Sequence, residues 1–244
     1  MARKLLFWSF IALMLALTAV FVGLGTWQMQ RLAEKDALIA TVADRTHRAP
    51  GALPPMTDWS DIEVSALDYA PTQVTGHYRA DQSIRVFTSI PQGKTRYFGP
   101  GYWLMTPFLL ADGGTVFVNR GFIPQDQDPA VLPPPSGEIT LTGIARLPEP
   151  VGAFTPAAKP ADRIDWVRDP QRLAEMSDPD FAPIAPVTLD LPAGAEGELP
   201  QAGGTVVEFP NNHLGYALTW YGFALITPVL LLFWIIRQRR PRAP

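Results

Sequence analysis

Two long uncharged runs, one at each end of the chain, decide what it can fold into. The first covers residues 5–27 behind Arg3 and Lys4; the second covers 214–236 ahead of Arg237, Arg239, Arg240 and Arg242. As helices each spans roughly 35 Å, enough to cross a bilayer with some tilt. A cleaved signal peptide is the rival reading of the first run. Its apolar stretch exceeds the roughly 7–15 residues of such a segment and no A-x-A site ends it, so a retained anchor is the reading taken. Ala12, Ala16, Ala19 and Gly23 form a small-residue face expected to pack on the second helix. Pro228 predicts a kink there, which membrane helices tolerate.

The basic clusters outside both runs read as cytoplasmic, opposed weakly by Arg31 and Lys35 on the far side. The expected plan is a cytoplasmic N-terminus (1–4), a first transmembrane helix (5–27), an outer β-rich domain (28–212), a second transmembrane helix (213–236) and a basic cytoplasmic tail (237–244). In a bacterium this is a multi-pass inner-membrane protein with its central domain in the periplasm.

The central region is expected to begin with helix over 31–43, broken at 45–55. Segments 72–78, 84–90, 102–110, 115–119, 139–145 and 187–191 are rich in β-branched and aromatic residues between Gly, Pro and Asp, and read as strands. Asp112-Gly113-Gly114 has hairpin spacing. Asp169-Pro170 predicts an N-cap and first-turn proline opening a short helix over 171–176. Many of the 26 prolines fall in 124–135, 148–160 and 179–200, which read as loops. The expected fold class is membrane α+β: two transmembrane helices in an antiparallel hairpin flanking one extracytoplasmic, barrel-like antiparallel β domain with a short helix.

Little catalytic chemistry is available. The chain has no cysteine, which excludes thiol catalysis, thiolate metal sites and covalent c-type haem attachment. A net charge of -3 gives no footprint for nucleic acid. No H-E-x-x-H, G-x-S-x-G, Walker or G-x-G-x-x-G pattern occurs. His47 reads as solvated, His77 as a surface or satisfied histidine, and Asp61 and Glu63 as a solvated edge. Asn119-Arg120-Gly121 is expected to end a strand at a turn over Phe122-Ile123-Pro124. Arg120 there suits either an anion or a structural pairing inside the domain. No enzyme active site is expected.

The membrane edge is the remaining candidate. Trp27, Gln28 and Arg31 leave the bilayer at the depth where His213, Tyr216 and Trp220 enter it. Asn211 or Asn212, after Pro210, suits an N-cap that places His213 in the first helical turn. His213, Ala217, Trp220, Ala224 and Thr227 share one face of the helix, and Leu214, Leu218 and Leu225 another, expected to face lipid. An aromatic belt with a snorkelling arginine is one reading. The other is a cofactor site, because ionisable residues at membrane depth are often functional. An apolar metallocofactor would take the His213 imidazole as axial ligand, the indoles as walls and Arg31 for a carboxylate tail.

Three stretches then resemble the Surfeit locus protein 1 family. They are Leu24-Gly25-Thr26-Trp27-Gln28-Met29-Gln30-Arg31-Leu32-Ala33-Glu34-Lys35, Val118-Asn119-Arg120-Gly121-Phe122-Ile123-Pro124 and Asn211-Asn212-His213-Leu214-Gly215-Tyr216-Ala217-Leu218-Thr219-Trp220-Tyr221. Members commonly carry Trp-Val where this chain has Phe122-Ile123, a change that keeps the apolar character. The resemblance implies an assembly factor for haem-copper cytochrome c oxidase, one that binds haem a transiently and helps insert it into subunit I beside haem A synthase. The family's second-helix histidine maps onto His213, the implied axial ligand. Trp27, Arg31, Tyr216 and Trp220 are expected to line the haem by depth and wheel position, and Asn119, Arg120 and Gly121 to face a partner protein. A scaffold that grips nascent subunit I without haem, and a membrane-anchored periplasmic enzyme, are the alternatives.

Overall fold

The computed structural model describes residues 2–93, 95–203 and 211–239, without the side chains of residues 2, 3 and 239. Pro210 and the tail arginines Arg240 and Arg242 lie outside these. The molecule divides into two compact units, residues 1–41 with 208–244, and residues 42–207.

The first unit is a pair of helices. Helix α1 (Ala2–Thr46) runs unbroken through the first apolar run and the charged residues after it. The other helix of the pair, α3 (His213–Arg239), contains Pro228. Both are long and apolar enough to cross a membrane. They pack antiparallel, because contacts that rise along one descend along the other. Phe7 stacks on Trp234 at 5.2 Å, Phe21 stacks on Trp220 at 5.9 Å, and Asp36 accepts from the amide of Asn211 at 2.7 Å. Ala217, Ala224 and Thr227 are buried on the inward stripe of α3, while Leu214, Leu218 and Leu225 are exposed, as the helical wheel expects.

The small-residue face of α1 is a correction. Ala12, Ala16, Ala19 and Gly23 are exposed, and nothing approaches Gly23 within 4 Å. The inward face carries Phe7, Phe21, Gly25 and Gln28 instead. Between the helices rings meet rings, and the buried small residues are Gly25 on α1 with Ala217 and Ala224 on α3. Gly25 is the tight point, since a Cβ there would meet the Tyr221 ring at 2.7 Å. A second correction concerns the start of α3. Neither asparagine side chain caps it; the Asn212 carbonyl accepts from Tyr216 N–H at 3.3 Å, and the Asn211 amide is spent on Asp36.

The second unit holds strands β1 (Gly51–Ala52), β2 (Pro71–Tyr78), β3 (Ile84–Ile90), β4 (Gly99–Leu110), β5 (Thr115–Pro124), β6 (Ile139–Arg146), β7 (Ile164–Asp165) and β8 (Ile184–Asp190), with helix α2 (Pro170–Ala174) before the last strand. The sheet order is β1-β2-β6-β8-β5-β4-β3-β7, and an added pairing of β2 with β4 closes five strands into a barrel. Closure needs Gly76, whose missing side chain leaves room for the Leu109 carbonyl. The barrel is antiparallel except for β5 with β8, which run parallel. Counted along the barrel alone, its order is first, second, third, fifth, fourth and back to first, the connectivity of OB-fold barrels.

The expected strands are all present, β3 with the ends expected and the others with shifted ends. The hairpin at Asp112-Gly113-Gly114 joins β4 to β5, and both glycines have positive φ. Asp169 caps α2 by accepting from Gln171 and Arg172 N–H, with Pro170 in the first turn. Helix α1 continues three residues past its expected end at 43, and Arg45 in its last turn donates to the Ser65 and Asp68 carbonyls at 3.0 Å. Val74, Phe108, Val116, Val118, Val187 and Leu189 fill the barrel. Phe117 points the other way, into a cluster with Ile84, Val86, Met105 and Leu173. Strand β5 is therefore buried on both faces.

Candidate functional site

Within the helix pair, His213 and Gln28 meet. The His213 Nδ1 lies 2.7 Å from the Gln28 amide oxygen, and Gln28 is buried at 8% exposure. An amide oxygen can only accept, so this contact is a hydrogen bond from Nδ1–H, and Nε2 is the ring nitrogen left to meet a metal. A second hydrogen bond that fixes tautomer and ring direction is the usual support of a metal-binding histidine. His213 is half-buried, and no protein group is bonded to Nε2 among the described residues. Gln28 went unassigned in the sequence because one glutamine beside a tryptophan at a membrane edge has no periodic signal. Its meaning appears only once the helix register is fixed.

The other expected cofactor residues divide. Trp220 is half-buried against Phe21 and also meets Phe223, edge-on at 6.1 Å. Tyr216 (58% exposed) and Trp27 (50% exposed) present open rings. Arg31 is exposed and pairs with Glu34 at 2.6 Å, a surface ion pair of the kind worth under about 1 kcal/mol and readily exchanged. Next to them the hydroxyls of Thr26 and Tyr221 lie 3.3 Å apart. Among the described residues no three His, Cys, Asp or Glu gather as a metal cluster. A haem needs no such cluster, since one axial imidazole holds its iron. His213 with Nε2 unbonded fits that need.

In the barrel, Asn119-Arg120-Gly121 does not end its strand. Strand β5 runs on through Phe122-Ile123-Pro124, correcting the expected turn. The Asn119 side chain donates to Asp190 at 3.0 Å and accepts from Gly121 N–H at 3.0 Å. Gly121 sits at φ +128° against the Gln201 backbone, where any side chain would collide. Phe122 and Gln201 then exchange backbone hydrogen bonds of 2.8 Å. These two neighbours of Arg120 are spent on building the strand, together with the Arg168–Asp190 pair at 3.2 Å beside them. Arg120 itself is buried at 8% exposure and lies over the Tyr78 ring at 5.9 Å. It makes no hydrogen bond or ion pair to the described residues, and its one pairing among them is this contact with the Tyr78 ring. Burial lowers its pKa from the ordinary guanidinium value, with Tyr78 opposing. Of the remaining histidines and acids, His47, His77, Asp61 and Glu63 are exposed, as expected.

The sequence model of the SURF1 family matches residues 15–225, which takes in both the His213–Gln28 pair and the whole barrel. The chain belongs to the SURF1 family. It is 32% identical to the SURF1-like protein of Monosiga brevicollis, over 96% of this chain and 88% of the relative. It is 33% identical to Surfeit locus protein 1 of Mus musculus, over 92% of this chain and 75% of that protein. Against Surfeit locus protein 1 of Homo sapiens the figures are 31%, 92% and 76%. Each of these matches covers more than nine tenths of this chain.

Proposed function

We propose that this SURF1 member serves the assembly of haem-copper cytochrome c oxidase by holding haem a at the membrane edge and passing it to subunit I. The observation that carries the reading is the His213 imidazole, fixed by Gln28 through Nδ1 and unbonded at Nε2. His213 would take the iron, and Trp27 and Tyr216 offer exposed ring faces for a flat apolar macrocycle. Arg31 would exchange Glu34 for a carboxylate of the porphyrin. The exposed leucines of both helices give the farnesyl tail an apolar surface continuous with lipid. One axial bond makes a holder that lets go, and release is what a delivery role requires. Haem A synthase would be the donor.

The terminal basic clusters support a topology with both ends of the chain in the cytoplasm and residues 28–212 outside, in a bacterial cell membrane the periplasm. Detergent-purified chain mixed with haem should develop a Soret band and then yield the haem to excess apomyoglobin. Absence of the band, or haem that stays bound, contradicts the proposal.

A further inference from the structure

Arg120 is buried and forms no ion pair with any of the described residues. The other arginines drawn into the barrel wall are paired: Arg146 with Asp68, Arg168 with Asp190 and Glu149, and Arg172 with Asp165. Arg120 continues the inward row of Val116 and Val118 along β5, to the barrel end where Tyr78 closes β2. Taking a guanidinium out of water without a partner is costly, and the barrel supplies none.

What lies before Arg120 is space. A cavity of about 370 Å³ is lined by Arg120, by Ala80, Asp81 and Ser83 from the connection after β2, and by Asp128, Leu132 and Pro133 from the connection after β5. Asp81 is engaged by Arg79 at 3.3 Å and Asp128 accepts Ala130 N–H at 2.9 Å, and neither forms an ion pair with Arg120. Both still carry negative charge, which disfavours a dianion. A planar, singly charged carboxylate matches the guanidinium fork and adds least repulsion. The connection after the first barrel strand, beside the second and third strands, is also where OB barrels take ligands; that is an analogy of fold and stands second to the geometry.

We propose that Arg120 and this cavity form a binding site for a monovalent carboxylate, either a small free acid or the side chain of a glutamate or aspartate on a partner protein. The site is independent of haem holding by the helices, so failure of either leaves the other standing.

The test follows arginine side-chain Nε–H resonances of the full chain in detergent, with the Arg120 signal assigned by its absence in Arg120→Lys and Arg120→Met. Propionate, a blocked Gly-Glu-Gly peptide, its glutamine counterpart and inorganic phosphate are titrated in turn. Saturable shifts with propionate and the glutamate peptide, and none with the glutamine peptide, are expected. Peptide affinity ten-fold or more above that of propionate marks a protein-borne carboxylate, and equal affinities mark a free acid. No saturable shift with either carboxylate overturns the proposal, as does phosphate binding as tightly as propionate. Arg120→Met should unfold at the temperature of the wild type or higher; a lower midpoint, or no folding, marks an internal structural role and also overturns it.

Discussion

At the scale of single residues, the decisive groups are those whose polar atoms are held or left open by one neighbour. Gln28 is a positioning residue for His213. Gln28→Leu removes the acceptor that holds Nδ1–H, and loss of such a support typically weakens metal binding by about 10–100-fold. Haem titration should show that loss, with helix content by circular dichroism unchanged. Tyr78 gives a second prediction. Burial pushes its pKa from 10.0 up to about 12, with the Arg120 charge opposing. Unfolded, the phenol ionises near 10; folded, it holds its proton to about 12. Its contribution is complete below pH 10 and lost as pH rises through 12, amounting to about 2–3 kcal/mol. Denaturant unfolding of the wild type should weaken by that amount across the interval, and Tyr78→Phe should weaken less. What sequence could not supply here is partnership. His213 stood out in the sequence as a candidate ligand by its depth and type, and Gln28 did not. Arg120 was legible as a candidate for anion binding or for a structural pairing, and only the fold shows that no described carboxylate forms an ion pair with it, although Asp81 and Asp128 line the same cavity.

At the scale of elements, the helix pair turns on Gly25. Alanine at Gly25 must displace the Tyr221 ring, whereas alanine at Gly23 meets nothing. Both changes gain the same helix propensity, so their difference isolates packing. Gly25→Ala should be less stable than Gly23→Ala by about 1–3 kcal/mol, read by thermal unfolding in one detergent. The small face of α1 misled because small-residue spacing shows that backbones can approach, and not which helix supplies the room. Among strands, β3 is read to the residue, since Ile84 and Ile90 bound an alternating run between Ser83 and Pro91. Strand β5 was cut short at Asn119, because Asn-Arg-Gly carries turn chemistry. That chemistry is absorbed within the strand, where Asn119 bonds Gly121 N–H and Gly121 takes a positive φ. The two-residue strands β1 and β7 carry no pattern of their own and exist only through β2 and β3. The parallel β5–β8 pairing joins segments far apart in sequence, so alternation alone could not reveal it.

At the scale of the whole molecule, the fold separates two tasks. A helix pair carries an oriented imidazole, and a closed barrel carries a buried guanidinium with no ion pair among the described residues. The exposed leucines, valines and phenylalanines along α1 and α3 form more apolar surface than water tolerates, which lipid would cover. The topology has a clean test, because the chain has no native cysteine. Phe154 is 99% exposed on a loop of the barrel unit, so Phe154→Cys should react with a membrane-impermeant maleimide in intact bacterial spheroplasts. Labelling only after lysis would put the barrel on the cytoplasmic side.

The account stands most directly on the absorption spectrum of the chain purified in detergent from cells that make haem A, wild type beside His213→Ala. The wild type should carry a Soret band that the variant lacks while keeping the same helix content. A colourless wild type, or a band unchanged in the variant, would contradict haem holding by His213.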